Sequence, residues 1–225
     1  MLRNAAGIGV ATGAYGLSFG AVSTAAGLSV LQTCALSLLM FTGASQFAAV
    51  SVLGAGGAPL AAAATAVLLG TRNALYGLRI SSLLRVRGLR RLAAAQLVID
   101  ESTAMSLVQA DASLNRLGFW ATGLSVFALW NAGTLIGAVG AHALSDPRSA
   151  GLDAAAPAAF LALLAPRLRQ GRTVWLVASV AALVGLATVP LLPPGGPILV
   201  AAAAAVVVAA LPPRPAGSEF ASGDA

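Results

Sequence analysis

The sequence predicts an all-α, polytopic helical membrane protein with about seven transmembrane helices and one short re-entrant or interfacial helix. Of its 225 residues, 58% are hydrophobic and only 9% are charged, and the mean hydropathy is +0.88. Soluble domains carry about 25% charged residues. At about 20 residues per crossing helix, we expect one transmembrane domain over 1–211 and a disordered, Pro-rich tail over 212–225.

Apolar runs separated by Gly, Pro and Arg define the individual helices. Seven runs are candidates to cross the membrane: 5–27, 30–53, 59–84, 92–110, 117–141, 173–192 and 197–211. Glycines interrupt the first run and further apolar runs follow it, so we expect a membrane helix there instead of a signal peptide. The eighth run, 154–165, is too short to cross about 30 Å of hydrocarbon and is the expected re-entrant or interfacial helix.

The distribution of arginines predicts the topology. All 13 basic residues are arginines, they raise the net charge to +6, and most lie between apolar runs, which indicates membrane topology and no nucleic-acid partner. If 154–165 does not cross, Arg3 and Arg116 lie on one face. The other face then carries nine arginines: Arg85, Arg87, Arg90, Arg91, Arg148, Arg167, Arg169, Arg172 and Arg214. Because positive loops stay in the cytoplasm, we expect a cytoplasmic C-terminus.

The first run carries a stripe of small residues. At helical spacing, a sector of about 80° contains Gly9, Gly13, Gly16, Gly20, Ser23 and Gly27. Such a stripe allows close approach of a second helix, within the chain, on a moving element or on a partner subunit.

Charged groups inside apolar runs are the candidate functional residues. Arg72, Tyr76 and Arg79 share one face of the third run, where Arg79 is near the end and can reach the membrane surface, whereas Arg72 is deeper. Asp100 and Glu101 are adjacent in the fourth run, and each carboxylate costs about 2.5–3.5 kcal/mol at mid-bilayer on insertion scales.

The two carboxylates diverge by about 100° around a helix, so we expect one to pair with Arg72 and the other to face a cavity. A carboxylate without a cationic partner would suit a proton carrier, and a pair of locking salt bridges is the structural alternative. Polar residues surround the whole fourth run, which must therefore be buried, broken or non-spanning; we expect burial.

Two further polar sites lie in apolar surroundings. The run FTGASQF contains Gly43, Ser45 and Gln46, which indicates either ordinary helix packing or an unwound stretch whose backbone binds a ligand. Asn131 is the amide of the fifth run and is expected to form a hydrogen bond across the bundle.

The sequence lacks the residues that zinc binding, cofactor binding and ATP binding require. The chain has one Cys, one His and no Lys, so we expect no zinc site, no cofactor and no ATP-binding loop. An intramembrane protease would use acids on two helices, whereas Asp100 and Glu101 are adjacent, so we expect no enzyme. A structural or assembly subunit remains an alternative to a transporter driven by an ion gradient.

Five segments in this order resemble the AzlC family, the large subunit of branched-chain amino acid exporters: GASQF at 43–47, RNALYG at 72–77, IDESTAMS at 99–106, WNAGTLIGAVG at 130–140 and GLDAAAPAAFLALLAP at 151–166. The resemblance implies export of Leu, Ile, Val and sometimes Met across the cytoplasmic membrane, coupling to the proton gradient, and a small AzlD-like membrane partner. This chain has Thr71, Arg72 and Asn73 where the family usually shows Asn-Arg-His, which puts in doubt a proton relay through that position.

Overall fold

The computed structural model describes residues 1–108, 111–143, 161, 164–165, 167–169 and 171–210, and in these ranges the chain forms α-helices joined by short connections. The helices are α1 (Leu2–Ala25), α2 (Val30–Leu39), α3 (Ala44–Gly54), α4 (Pro59–Leu84), α5 (Leu89–Gln96), α6 (Asp100–Leu107), α7 (Ala112–Ala143), α8 (Arg172–Thr188) and α9 (Gly196–Ala210). The predicted tail and most of the run 154–165 lie outside the described residues.

The glycine stripe of α1 packs against α7, which confirms the interpretation that it serves packing within the chain. An added Cβ at Gly13 would lie 3.1 Å from the carbonyl oxygen of Leu129, and one at Gly16 would lie 2.5 Å from that of Trp130. Residue numbers rise together along both helices, so α1 and α7 run parallel. The stripe ends before Gly27, which instead adopts a positive φ of 95° in the turn after α1.

The run 30–53 forms a helical hairpin, which we call hairpin A (α2 and α3). The chain leaves helical geometry at 40–43 and turns back. An added Cβ at Gly54, the last residue of α3, would lie 3.0 Å from the Cβ of Ala26. Ala26 lies in the connection between α1 and α2, so hairpin A begins and ends at the same end of the molecule.

The fourth run forms a second hairpin, hairpin B (α5 and α6), with its turn at 97–99. Leu97 packs against Gly123, and the carbonyl oxygen of Met105 packs against Gly118, so α6 runs back toward the start of α7. The guanidinium Nε of Arg116 donates to the carbonyl oxygen of Leu83, which places the start of α7 beside the end of α4. Hairpin B therefore also returns to the end from which it started.

The prediction that 30–53 and 92–110 each form one continuous helix is therefore wrong, and the count of seven crossings is not confirmed. Hydropathy cannot distinguish one spanning helix from two antiparallel half-length helices of the same composition. By length and composition, two of the described helices can span a membrane, α1 and 112–141 of α7. Helix α4 has 26 residues, about 39 Å, but contains Arg72 and Arg79.

The two hairpins, each with the helix that follows it, form an inverted repeat, because the two units run in opposite directions. Hairpin A is followed by α4. This helix runs from the end of the molecule where hairpin A begins and ends to the end where hairpin B begins and ends. Hairpin B is followed by α7, which runs in the opposite direction. The asparagines support the correspondence: Asn73 of α4 donates to the carbonyl oxygen of Val98 in hairpin B, and Asn131 of α7 accepts from Ser37 in hairpin A.

Among the described connections between helices, arginine occurs at only one end of the bundle. The start of α1 carries Arg3, and the end where α4, hairpin B and α7 meet carries Arg85, Arg87, Arg90, Arg91 and Arg116. The described connections at the other end, 26–29, 55–58 and 189–195, contain no charged residue. The prediction that Arg116 lies opposite Arg85 is wrong, because hairpin B does not cross.

Labelling of single cysteines tests this arrangement. In a Cys34→Ser background, cysteines at Gly88 and Ser113 should react with a membrane-impermeant maleimide from the same side, and one at Ala55 from the other side. The first two flank hairpin B, and the third follows hairpin A. Labelling of positions 88 and 113 from opposite sides would mean that hairpin B crosses the membrane.

Candidate functional site

The turns of hairpins A and B meet at a cavity of about 90 Å³ in the middle of the helix bundle. Five elements supply its walls, and the lining residues are Thr12, Tyr15, Phe41, Thr42, Gly43, Ala44, Phe47, Arg72, Ile99, Asp100, Glu101, Val126 and Trp130. Because α3 and α6 both begin at these turns, their N-termini lie at the cavity. The backbone N–H groups of a first helical turn lack partners within the helix and carry partial positive charge.

Glycine permits the turn of hairpin A. Gly43 has φ of +63° and ψ of −89°, a conformation that strains residues with a Cβ. Its N–H donates to Oε1 of Gln46 at 3.0 Å, and Nε2 of Gln46 donates to the carbonyl oxygen of Leu36 at 3.4 Å. One buried amide thus satisfies the N–H of Gly43 at the break. It also adds a second hydrogen bond to the carbonyl oxygen of Leu36, which already accepts from the N–H of Met40.

In hairpin B, other side chains form hydrogen bonds with the backbone groups of the turn. The N–H of Ile99 donates to Oγ of Ser102, whose hydroxyl donates to the carbonyl oxygen of Leu97. Nδ2 of Asn73 donates to the carbonyl oxygen of Val98 at 3.0 Å. A hydrogen bond of 2.8 Å from Nε2 of Gln96 to the carbonyl oxygen of Leu38 joins the two turns.

Arg72 and Asp100 form an ion pair at the cavity wall, as predicted for one of the two carboxylates. Nη1 of Arg72 lies 2.9 Å from Oδ2 of Asp100, and the two side chains are 36% and 30% exposed. The pair is not saturated, because Nε of Arg72 and Oδ1 of Asp100 are buried without a hydrogen-bond partner among the described residues. Each partner therefore keeps a free polar atom for a ligand.

Glu101 is the second carboxylate of the cavity. It lies in the first turn of α6 beside Asp100, and within the described part of the chain it forms no salt bridge. Tyr76 lies about one turn beyond Arg72 on α4 and interacts electrostatically with Asp100, although it does not line the cavity.

An aromatic cluster forms the apolar wall. Trp130 stacks with Phe19 at a centroid separation of 6.0 Å and meets Phe47 edge to face at 6.2 Å. Its indole Nε1 is buried without a hydrogen-bond partner among the described residues. The cavity therefore combines an apolar surface, a cation, two carboxylates and partly unused donors.

The structure brings together half of the predicted site residues. Gly43, Arg72, Asp100 and Glu101 line the cavity. The other four support it or lie beside it: Ser45, Gln46, Tyr76 and Asn131. Ser45 is buried near Gly70 of α4, and Asn131 accepts a hydrogen bond of 2.7 Å from the Ser37 hydroxyl.

Sequence reasoning missed the contributions of α1 and most of the apolar wall. Thr12 and Tyr15 of α1 line the cavity beside the glycine stripe, and Trp130 immediately precedes the predicted Asn131. Arg72 on α4 and Trp130 on α7 are each followed by Asn-Ala in the sequence. This similarity could have indicated that Trp130 also lines the cavity, but only once the inverted repeat shows that the two positions correspond.

The described residues form spanning-length apolar helices and two hairpins made from broken helices. These hairpins surround a largely apolar cavity that carries a cation and two carboxylates, an arrangement typical of membrane transport proteins. Residues 7–144 match the model of the AzlC protein family, and the chain belongs to this family, which is associated with transport. No curated protein and no solved structure matches the chain.

Proposed function

We propose that this chain is the permease subunit of an exporter for the branched-chain amino acids Leu, Ile and Val, and for Met. The proton gradient drives it, a small AzlD-like subunit assists it, and it resides in the cytoplasmic membrane. The observation that carries this proposal is the meeting of two half-helix N-termini with Arg72, Asp100 and Glu101 at one central cavity. Discontinuous helices of this kind bind substrates and coupling ions in secondary transporters.

The charges of the cavity match an amino-acid zwitterion. The substrate carboxylate binds at the N-terminus of α3 and at the free Nε of Arg72, because both offer N–H donors and positive charge. The ammonium group binds the free Oδ1 of Asp100. Phe41, Phe47 and Val126 then surround the apolar side chain.

The cavity must enlarge to bind leucine. Its volume of about 90 Å³ is below the roughly 150 Å³ that accommodates benzene in a protein interior, and leucine is larger than benzene. Under this proposal, the cavity of about 90 Å³ is a contracted form of the substrate site. Hairpins A and B enter from opposite ends, so withdrawal of either turn opens the cavity toward one side of the membrane, as alternating access requires.

In the membrane, α1, α4 and α7 cross, and the two hairpins are re-entrant. The arginine-bearing end faces the cytoplasm by the positive-inside rule, with Arg3 and Arg116 now on the same side as Arg85. The C-terminus remains assigned to the cytoplasm.

Transport in liposomes tests the proposal. The purified chain, reconstituted with and without the AzlD-like subunit, should move radiolabelled leucine in response to an imposed pH gradient. Equal leucine flux in protein-free liposomes would reject amino acid transport. Loss of protein accumulation, in place of loss of flux, in every cavity variant would favour the alternative of a structural or assembly subunit.

Glu101 is the carboxylate that carries the coupled proton. Glu101→Gln should abolish the stimulation of leucine flux by a pH gradient while leaving leucine exchange within about twofold of the wild type, because the ion pair of Asp100 is untouched. Asp111→Asn is the matched control, since Asp111 is exposed before α7 and hydrogen bonds from Ser113 hold the pKa of Asp111 below its usual range. Undiminished stimulation in Glu101→Gln would exclude this role.

A further inference from the structure

A second concave site lies between the last half of α4 and α5, at the arginine-bearing end. Its volume is about 640 Å³, and we call it the arginine groove. Three arginines line its mouth, Arg85, Arg87 and Arg91, and all three are exposed. The remaining lining is apolar except for Ser81: Ala74, Gly77, Leu78, Ile80, Leu84, Val86, Ala94, Ala95 and Val98.

The positive charge of this groove is not neutralised by the described part of the protein. No acidic residue is in its lining, and the described residues place no carboxylate within salt-bridge distance of Arg85, Arg87 or Arg91. Arg85 adopts a left-handed conformation at the end of α4, and its Nε donates to the carbonyl oxygen of Ser82 at 3.4 Å.

The combination of charge and apolar depth selects one kind of ligand. A free anion would bind the arginines but would gain nothing from the apolar floor. A neutral hydrocarbon would contact the floor but would not bind the three guanidinium groups. A phospholipid with a net negative head group uses both, because its phosphate binds guanidinium forks and its acyl chains cover the floor. The mouth lies where α4 ends, at the arginine-bearing end of the molecule, which under the proposed topology is the end at the lipid head groups.

We propose that the arginine groove is a binding site for an anionic diacyl phospholipid. The phosphate sits among Arg85, Arg87 and Arg91, and one acyl chain lies between α4 and α5. At its deep end the groove reaches Val98, whose carbonyl oxygen is held by Asn73 next to Arg72. A bound lipid therefore contacts the turn of hairpin B at Val98, next to Ile99 of the central cavity.

Lipid retention and thermal stability test this site independently of transport. Full-length protein in detergent is mixed with phosphatidylglycerol, phosphatidylcholine or inorganic phosphate, and bound lipid is counted by native mass spectrometry alongside the Tm. We expect phosphatidylglycerol to be retained and to raise Tm by several degrees. The triple variant Arg85→Gln, Arg87→Gln, Arg91→Gln should retain at least threefold less, whereas the double variant Arg3→Gln, Arg90→Gln should retain wild-type amounts.

A variant without charge changes separates lipid binding from topology and folding. Gly77 lines the groove, and a Cβ built on it would meet nothing within 4 Å, so Gly77→Leu fills the space for an acyl chain. It should lower phosphatidylglycerol retention at least threefold even if the triple arginine variant fails to fold. Equal stabilisation by phosphatidylcholine or by inorganic phosphate would overturn the proposal. So would wild-type retention in Gly77→Leu, or the absence of retained lipid in the wild type.

Discussion

Removing either member of the Arg72–Asp100 pair should lower the initial rate of leucine efflux more than tenfold. Arg72→Ala removes the cation that receives the substrate carboxylate, and Asp100→Asn removes the anion that receives the ammonium group. Each variant also leaves the partner, now unpaired, at the wall of a low-dielectric cavity. Efflux from liposomes at equal protein density is the measurement.

The double variant Arg72→Ala, Asp100→Asn distinguishes a functional pair from a structural lock. A structural lock should recover efflux in the double variant, because no unpaired charge is left, whereas a substrate-binding pair should leave efflux at least as slow as in either single variant. Arg79→Ala is the matched control: Arg79 lies two turns along the same helix but is exposed. Wild-type efflux by Arg72→Ala and Asp100→Asn would reject the substrate site.

Gly16→Ala should destabilise the bundle more than most single methyl additions. The new Cβ would lie 2.5 Å from the carbonyl oxygen of Trp130 and 3.1 Å from its Cα. Both atoms are backbone and cannot rotate away, so α1 and α7 must separate. Overpacking costs about 1–3 kcal/mol, which for a chain of this length lowers Tm by about 2–12 °C.

Gly7→Ala provides the control for the packing argument. It is on the same helix, adds the same methyl group and improves helix propensity equally, but a Cβ there meets nothing within 4 Å. Its Tm and accumulation should equal those of the wild type or exceed them slightly. A Gly16→Ala protein as stable as Gly7→Ala would show that α1 and α7 do not pack as closely as described.

The charged residues of the site could be predicted from the sequence, because the cost of a charge in apolar surroundings depends on the local sequence. The cost of Asp100 and Glu101 in apolar surroundings predicted partners, and the pairing of one carboxylate with Arg72 is observed. The interpretation of 41–47 as an unwound stretch was left open, and the structure contains that break at 40–43. The expectation of one continuous fourth helix was wrong, and at the break the side chain of Asn73 on α4 satisfies the carbonyl group of Val98. The expected burial is observed for Ser102, Thr103 and Ser106 in α6.

The sequence by itself determined the apolar helical class, the close α1 packing surface, the arginine-rich connections and the residues with chemical potential, because these depend on composition and on spacing within one helix. The tertiary structure alone decided the direction of the chain after each break. Whether 30–53 and 92–110 cross or turn back depends on contacts distant in sequence, such as Gly54 with Ala26 and Arg116 with Leu83. Those contacts bring two half-helix N-termini to one cavity. Hydropathy does not predict such contacts, because it depends only on local composition.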